Sequence, residues 1–316
     1  MTPETHALRP PRQRGAALLA AMLTVTLVAS LAAAALWQQW RAIEVESAER
    51  TRLQSLWVLT GALDWARLIL IEDGRTGGAD HLAEPWAIAL EEARLSTFLA
   101  ADKSSTADTD STLQQAFLSG RIEDVQARMN VLNLLDGTKL SGPALLAFGK
   151  LFDQLGLPRA ELLGMADTLL LASDSAVTLP AAVTNRPLMP QRVEQLVWLG
   201  LSPRSLALLR PYVTLLPVRT PINLNTASAV VLHASVPALD MAQAQQMVSA
   251  RRLSHFQSLA DASKAAGAAL LNPTDHSVNS RFFEVHGRLR IDQTVVEENS
   301  LLQRDGTNVQ TLWRQH

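Results

Sequence analysis

The sequence predicts a mixed α/β chain that opens with one long helix, carries a block of short helices in its middle and closes on antiparallel strands. Three observations predict this. An uncharged run from Ala16 to Trp37 leads into Leu56, Leu59, Leu63, Ala66 and Leu70, spaced by three and four, the period of one buried helix face. Between Leu140 and Leu216, Pro143, Pro158, Pro180, Pro190, Pro203 and Pro211 cut a mostly helical pattern into short pieces, because proline removes a backbone donor and clashes with the preceding turn. Beyond Phe282, runs rich in Phe, Val, Leu and Ile flank the dipeptide Asp305-Gly306, a hairpin signal.

Taken in order, Met1 to Gly15 holds Pro3, Pro10 and Pro11 and reads as an unstructured leader. In the 22 residues that follow, only Thr24, Thr26 and Ser30 are polar. As a helix the run is about 33 Å long, enough to cross a bilayer core. Arg9, Arg12 and Arg14 precede it, whereas mixed charges follow it, so the leader is expected to stay cytoplasmic and the body to lie across the membrane. The next apolar stretch, Leu53 to Leu63, is too short for a second span. The long helix is expected to end at Asp73-Gly74, with Gly77-Gly78 in a loop. A turn and a short helical stretch around Pro85 to Ala93 follow, then a solvated loop over 102–112. Phe117 to Leu135 reads as short strands or a strand and a turn, and Pro221 to Ala266 as helix, turn, helix.

Composition narrows the function classes. With 47% hydrophobic residues, 18% charged and a net charge of -2, the chain has a globular body but no global basic field to hold nucleic acid. The absence of cysteine excludes disulfides, thiolate zinc sites and cysteine nucleophiles. No phosphate-cradling glycine loop, serine elbow or zinc-protease histidine pair is present. The histidines at 6, 81, 233, 255, 276, 286 and 316 are scattered and are expected at surfaces or caps. Asp80, His81 and Glu84 beside Trp86 suit the fixing of a loop better than acid–base work. Asp73 and Asp80, or Asn272, Asp275 and Asn279, could offer oxygens to calcium, although caps and turns favour the same residue types. Ile222 to Ala227 followed by a helix from Asp240 to Arg252 looks like a helix-hairpin-helix module, but the hairpin Val236 to Asp240 has no glycine and only Arg251 and Arg252 are basic nearby. Helix packing is the expected role.

These pieces resemble one family. The leader and apolar run resemble a type IV prepilin signal. Gly61 to Ala66, Asp80 to Ala87, Ser119 to Asn130, Ile222 to Ala227 and Val278 to Phe283 resemble, in order, the minor pseudopilin K of type II secretion. The resemblance implies an α/β pilin-like fold: a long amino-terminal transmembrane helix packed on an antiparallel sheet, with a large all-helical insertion of SAM-like or helix-hairpin-helix-like kind. The implied division is a leader 1–15, a transmembrane and amphipathic helix 16–72, the first part of the pilin-like domain 73–139, the insertion 140–277 and closing strands 278–316. It further implies cleavage by prepilin peptidase between Gly15 and Ala16 and methylation of the new terminus. Other implications are an inner-membrane anchor with a periplasmic body, and a place at the pseudopilus tip with minor pseudopilins I and J above the shaft subunits. No enzyme activity and no nucleic-acid partner are implied. Calcium is implied as a ligand, with no residue-by-residue match for the metal site.

One departure from ordinary pseudopilins is informative. The fifth residue of the processed chain is Ala20, where most pilin-like subunits carry a glutamate that pairs with the amino terminus of the preceding subunit. An unpaired charge at the centre of a membrane helix costs about 2.5–3.5 kcal/mol on insertion scales. A subunit with no predecessor is better without it. Two other readings are an ordinary secretory signal cut near Ala32-Ala33-Ala34, and a membrane-anchored periplasmic helix-hairpin-helix DNA-binding protein.

Overall fold

The computed structural model describes residues 14–97, 116–173, 187–267, 271–291 and 294–315. The chain divides into two compact units, one up to Trp57 and one from Val58 onward, and helix α1 (Arg14–Thr76) contributes to both. The leader before Arg14, the loop expected over 102–112 and Pro180 lie outside the described residues.

In the first unit α1 is exposed from Gly15 to Arg50. The hydroxyls of Thr24, Thr26 and Ser30 donate to the carbonyls of Ala21, Leu23 and Leu27 at 2.8, 2.9 and 2.9 Å. Every polar side chain of the apolar run is therefore satisfied within the helix, as hydrocarbon surroundings require.

The second unit is built on a five-stranded antiparallel sheet of β1 (Leu90–Arg94), β2 (Ala116–Asp124), β3 (Phe282–Ile291), β4 (Thr294–Asp305) and β5 (Asn308–Gln315), which lie side by side in chain order. Period-2 alternation turns Leu118, Gly120 and Ile122 of β2 to the same face as their partners Leu289, Gly287 and Val285 of β3. The Leu59, Leu63, Ala66 and Leu70 stripe of α1 is buried in the cores over that face, among Leu118, Val285, Leu289 and Leu302. Each fully buried leucine contributes about 1.5–3 kcal/mol. Gly287 makes room for Leu59, whose Cδ2 would lie 3.1 Å from a Cβ there.

Helix α1 runs past its expected end at Asp73-Gly74 to Thr76. Gly74 faces the β4–β5 turn, where Asp305 pairs with Asn308 across Gly306 (φ +61°) and Thr307. The helix passes so close that only a glycine fits, and Gly77 (φ +66°) then ends it. The helical stretch expected over Pro85 to Ala93 is corrected too. Only Pro85–Ala87 forms a 3₁₀ turn, and Leu90-Glu91-Glu92-Ala93-Arg94, good helix formers, become an edge strand through pairing of Leu90 with Gly120, Ala93 with Leu118 and Arg94 with Phe117. Tertiary pairing overrides local preference here.

The helical block lies between β2 and β3. Asp124 and Phe283 are cross-strand partners, so the block leaves and rejoins the sheet at one point and interrupts no strand pairing. It contains α2 (Gly142–Gln154), α3 (Arg159–Ser173), a 3₁₀ segment Val193–Leu199, α4 (Pro203–Leu209), α5 (Ala229–Ser235), α6 (Met241–Leu253) and α7 (Leu259–Ala266). Ser141, Ser202, Ser228, Asp240 and Ser258 cap α2, α4, α5, α6 and α7 by accepting from the third residue beyond, as N-cap residues do. Pro143 and Pro203 sit in the first turns, where no donor is lost. Phe148, Leu151, Phe152, Met165, Leu169, Leu196, Leu232 and Met247 form one core. The helix expected to begin near Ile222 does not: Ile222-Asn223 is a short strand paired in parallel with His276-Ser277, and α5 starts only after Ser228. The Val236–Asp240 hairpin is present between α5 and α6, with Ala238 at φ +57°.

Candidate functional site

Strand β2 ends where the helical block leaves the sheet, and its last residue, Asp124, is buried. Its Oδ1 accepts from Gln126 N at 2.8 Å, and its Oδ2 accepts from Asn223 Nδ2, Thr226 Oγ1 and Ser280 Oγ at 2.9, 2.6 and 2.6 Å. Burial pushes its pKa up, and the four donors work against that push. Asn223 Nδ2 also donates to the Asp80 carbonyl at 3.1 Å, and Gln126 joins Pro221 O to Arg281 N. The bonded pair Asp124 and Asn223 thus ties the sheet, the loop after α1 and the helical block together.

Against this network lies an acidic cluster. Asp73 lies in the last turn of α1, and Asp80 and Glu84 belong to the loop beyond it; ligand oxygens of the three lie within 4.8 Å of one another. Arg304 of β4 pairs with Asp73 and, at 2.5 Å, with Asp80 Oδ1, while Asp80 Oδ2 accepts from Ser280 N at 2.6 Å. Glu84 Oε2 accepts from His81 N and Trp86 Nε1 at 2.9 and 2.7 Å, so this carboxylate fixes the loop. Burial raises Asp80 to about 6, with Arg304 opposing it. Burial likewise raises Glu84 to about 7, and the charges of Asp73 and Asp80 add to the shift. Three carboxylates face one guanidinium, and the surplus negative charge is partly desolvated. A cavity of about 190 Å³ opens between this cluster, Gly77, Gly78 and Asn279.

Of the oxygens considered for calcium, Asp73 and Asp80 therefore come together, joined by Glu84. Asn279 reaches the same loop, its amide donating to Gly78 O at 2.7 Å. Asn272 and Asp275 instead bond each other at 3.1 Å, and Asn272 accepts from Thr274 N, a turn-forming role. The expectation of surface or capping histidines fails for His276, which is 1% exposed beside the Ile222-Asn223 strand. Its Nδ1 accepts from Asn272 N, and burial lowers its pKa. It fails for His286 as well, which sits on the opposite face of the sheet from α1 beside Glu123 and Glu284. Those two carboxylates are direct cross-strand neighbours, an arrangement that repels unless cations intervene. Arg128 bridges both. The neighbouring His286, with Arg121 and Arg128, holds Glu123 down at about 2. Burial alone would lower His286, but Glu123, Glu284 and Asn299 raise it.

The processing residues Gly15 and Ala16, and Ala20 at the missing-glutamate position, lie in the exposed first turns of α1. A Cβ on Gly15 would meet nothing within 4 Å, so packing does not explain a glycine there. Sequence reasoning missed Asp124 and Arg304. Asp124 lies inside one of the five family-like blocks, and four of those blocks, around 80, 124, 223 and 280, meet in the network it centres. Their convergence was the available signal; Arg304 lies in none of them.

Two family profiles described as type II secretion system (T2SS), protein K match residues 127–218 and 222–279. The type II secretion system protein K of Pseudomonas aeruginosa is 29% identical over 297 residues, covering 86% of this chain and 83% of that relative. Among solved structures, a chain of the GspK-GspI-GspJ complex of the enterotoxigenic Escherichia coli type 2 secretion system superposes with a TM-score of 0.59 at 20% identity, over 85% of this chain and 97% of that one. The fold is thus pilin-like, a helix on an antiparallel sheet with a helical insertion. By these matches, together with the order of the sequence blocks, the chain belongs to the type II secretion system protein K family.

Proposed function

We propose that this chain is the minor pseudopilin that goes first in a type II pseudopilus. It is cut by prepilin peptidase after Gly15, held in the inner membrane by α1 with its body in the periplasm, and placed at the fibre tip with subunits of the I and J kinds. The shaft subunits follow beneath it, and its role is mechanical, with no catalytic step. The observation that carries this reading is membership of the protein K family on a pilin-like fold with a wide helical insertion between adjacent strands. A wide head suits the end of a fibre better than its shaft, and Ala20 leaves the membrane helix without the carboxylate that a predecessor would neutralise. The solved complex that shares the fold is named for K, I and J together; we carry that partnership over to this chain. The DNA-binding reading is weaker, because Asp240 already caps the α6 amino terminus, where a phosphate would have to bind. Co-purification of the full chain with its own I and J subunits from detergent tests the partnership, and its repeated absence would refute it. Gly15→Val should block maturation, leaving an uncut chain by intact mass and no secretion. A variant still processed to a methylated Ala16 would refute the cleavage assignment.

We also propose calcium at the acidic cluster, held by Asp73, Asp80 and Glu84 with Asn279 as a neutral oxygen donor. These residues fit a hard dication: the donors are oxygens, and burial, with neighbouring carboxylate charges adding to it, raises Asp80 and Glu84. Between about pH 4.5 and 7 the folded chain binds more protons at these groups than the unfolded chain does, so without metal their contribution to stability falls as pH rises. Calcium should reverse that trend, and its affinity should weaken as pH drops through about 7 and then about 6. Isothermal titration of the full chain in detergent checks this. Glu84→Gln should weaken binding at least about tenfold, and a wild-type chain giving neither heat nor a melting shift with calcium would remove the proposal.

A further inference from the structure

Trp37 and Trp40 stand where the apolar run meets the first charge, Arg41. One turn apart, they share a face of α1, with ring centroids 5.5 Å apart and planes tilted by 42°. They are 61% and 56% exposed, and α1 is the one element among the described residues of their unit. Two exposed indoles side by side on one helix face bury little of each other, so a partner outside the chain must cover them. Water leaves their apolar faces unburied, and a hydrocarbon interior leaves each ring N–H without an acceptor. The zone of lipid headgroups and ester carbonyls meets both needs.

We propose that Trp37 and Trp40 form an interfacial clamp on phospholipid headgroups that sets the depth of α1 in the bilayer. The proposal rests on the membrane-anchor reading above. Length supports it: from Ala16 to Trp37 the helix rises about 32 Å, against a hydrocarbon core of about 30 Å. The indoles therefore reach one surface just as the Gly15-Ala16 bond reaches the other. Arg41, one turn beyond Trp37, has a long apolar stem that lets its guanidinium extend to phosphates. From Glu44 onward, Glu46, Glu49 and Arg50 are exposed and charged, as expected of helix already in water. Holding the indoles at one surface keeps the cleavage bond at the opposite one.

The test uses the full chain in phosphatidylcholine vesicles whose acyl chains are brominated either near the ester carbonyls or near the terminal methyls. The chain has seven tryptophans, so the signal of interest is wild-type emission minus that of a Trp37→Phe, Trp40→Phe variant. Shallow bromines should quench this difference at least about twice as strongly as deep ones. Equal or stronger quenching by deep bromines would overturn the clamp, as would no quenching by either in a chain that floats with the vesicles, since the indoles would then face water or protein. A chain that fails to float would sink the anchor itself, and the clamp with it.

Discussion

Replacing Asp124 with alanine should lower the stability of the folded body by about 3–5 kcal/mol, one of the two largest effects expected of a single substitution in this chain. The substitution removes an acceptor from four buried donors, Gln126 N, Asn223 Nδ2, Thr226 Oγ1 and Ser280 Oγ, and a buried donor left unsatisfied costs about 1–3 kcal/mol. The losses do not simply add, because Asn223 Nδ2 still donates to the Asp80 carbonyl and to Ser280 Oγ. For a body of this size the melting temperature should fall by about 10 °C, read by near-ultraviolet circular dichroism during a thermal scan. Asp124→Asn keeps the shape and one acceptor oxygen, so it should cost less than half as much. Equal melting of wild type and Asp124→Ala would mean that the insertion is held to the sheet by its apolar contacts alone.

Gly74→Ala should destabilise by about 2–4 kcal/mol, although alanine in a helix normally gains about 1 kcal/mol over glycine. The reason is the approach of α1 to the β4–β5 turn, where a Cβ would lie 2.3 Å from Gly306 O. Backbone cannot rotate away as a side chain can, so either the last turn of α1 or the hairpin must shift, and Arg304 and Asp73 sit at that junction. The same helix supplies the control. Gly61 has nothing within 4 Å of its would-be Cβ, so Gly61→Ala should gain about 1 kcal/mol. Chemical denaturation of the two variants gives opposite signs if the close approach is real; a stabilised Gly74→Ala would show that α1 and the hairpin are not in contact in solution.

Much of the scaffold could be read directly. The Leu59, Leu63, Ala66 and Leu70 stripe, the proline-cut helices and the Asp305-Gly306 turn are local signals. In each, the residues that form the element are close in sequence, and their spacing carries the geometry. Leu90–Arg94 was not legible, because its residues favour helix and become strand only by pairing with β2. Ile222-Asn223 was missed for a similar reason, since its partner strand lies more than fifty residues on. Of the acidic cluster, Asp73 and Asp80 were in view as oxygen donors, but their company was not.

The sequence by itself determined the membrane run, the helix-then-strand order and, through five ordered blocks, the family. These rest on hydrophobic period, run length and turn chemistry, which act between neighbours along the chain. Only the tertiary structure decided that Asp80, Asp124, Asn223 and Ser280 share one buried network, that Arg304 answers Asp73 and Asp80, and that Gly74 must stay a glycine. Those facts depend on which distant segments touch. Contact across two hundred residues is settled by the packing of α1 and the helical block on the sheet, and no local pattern encodes it.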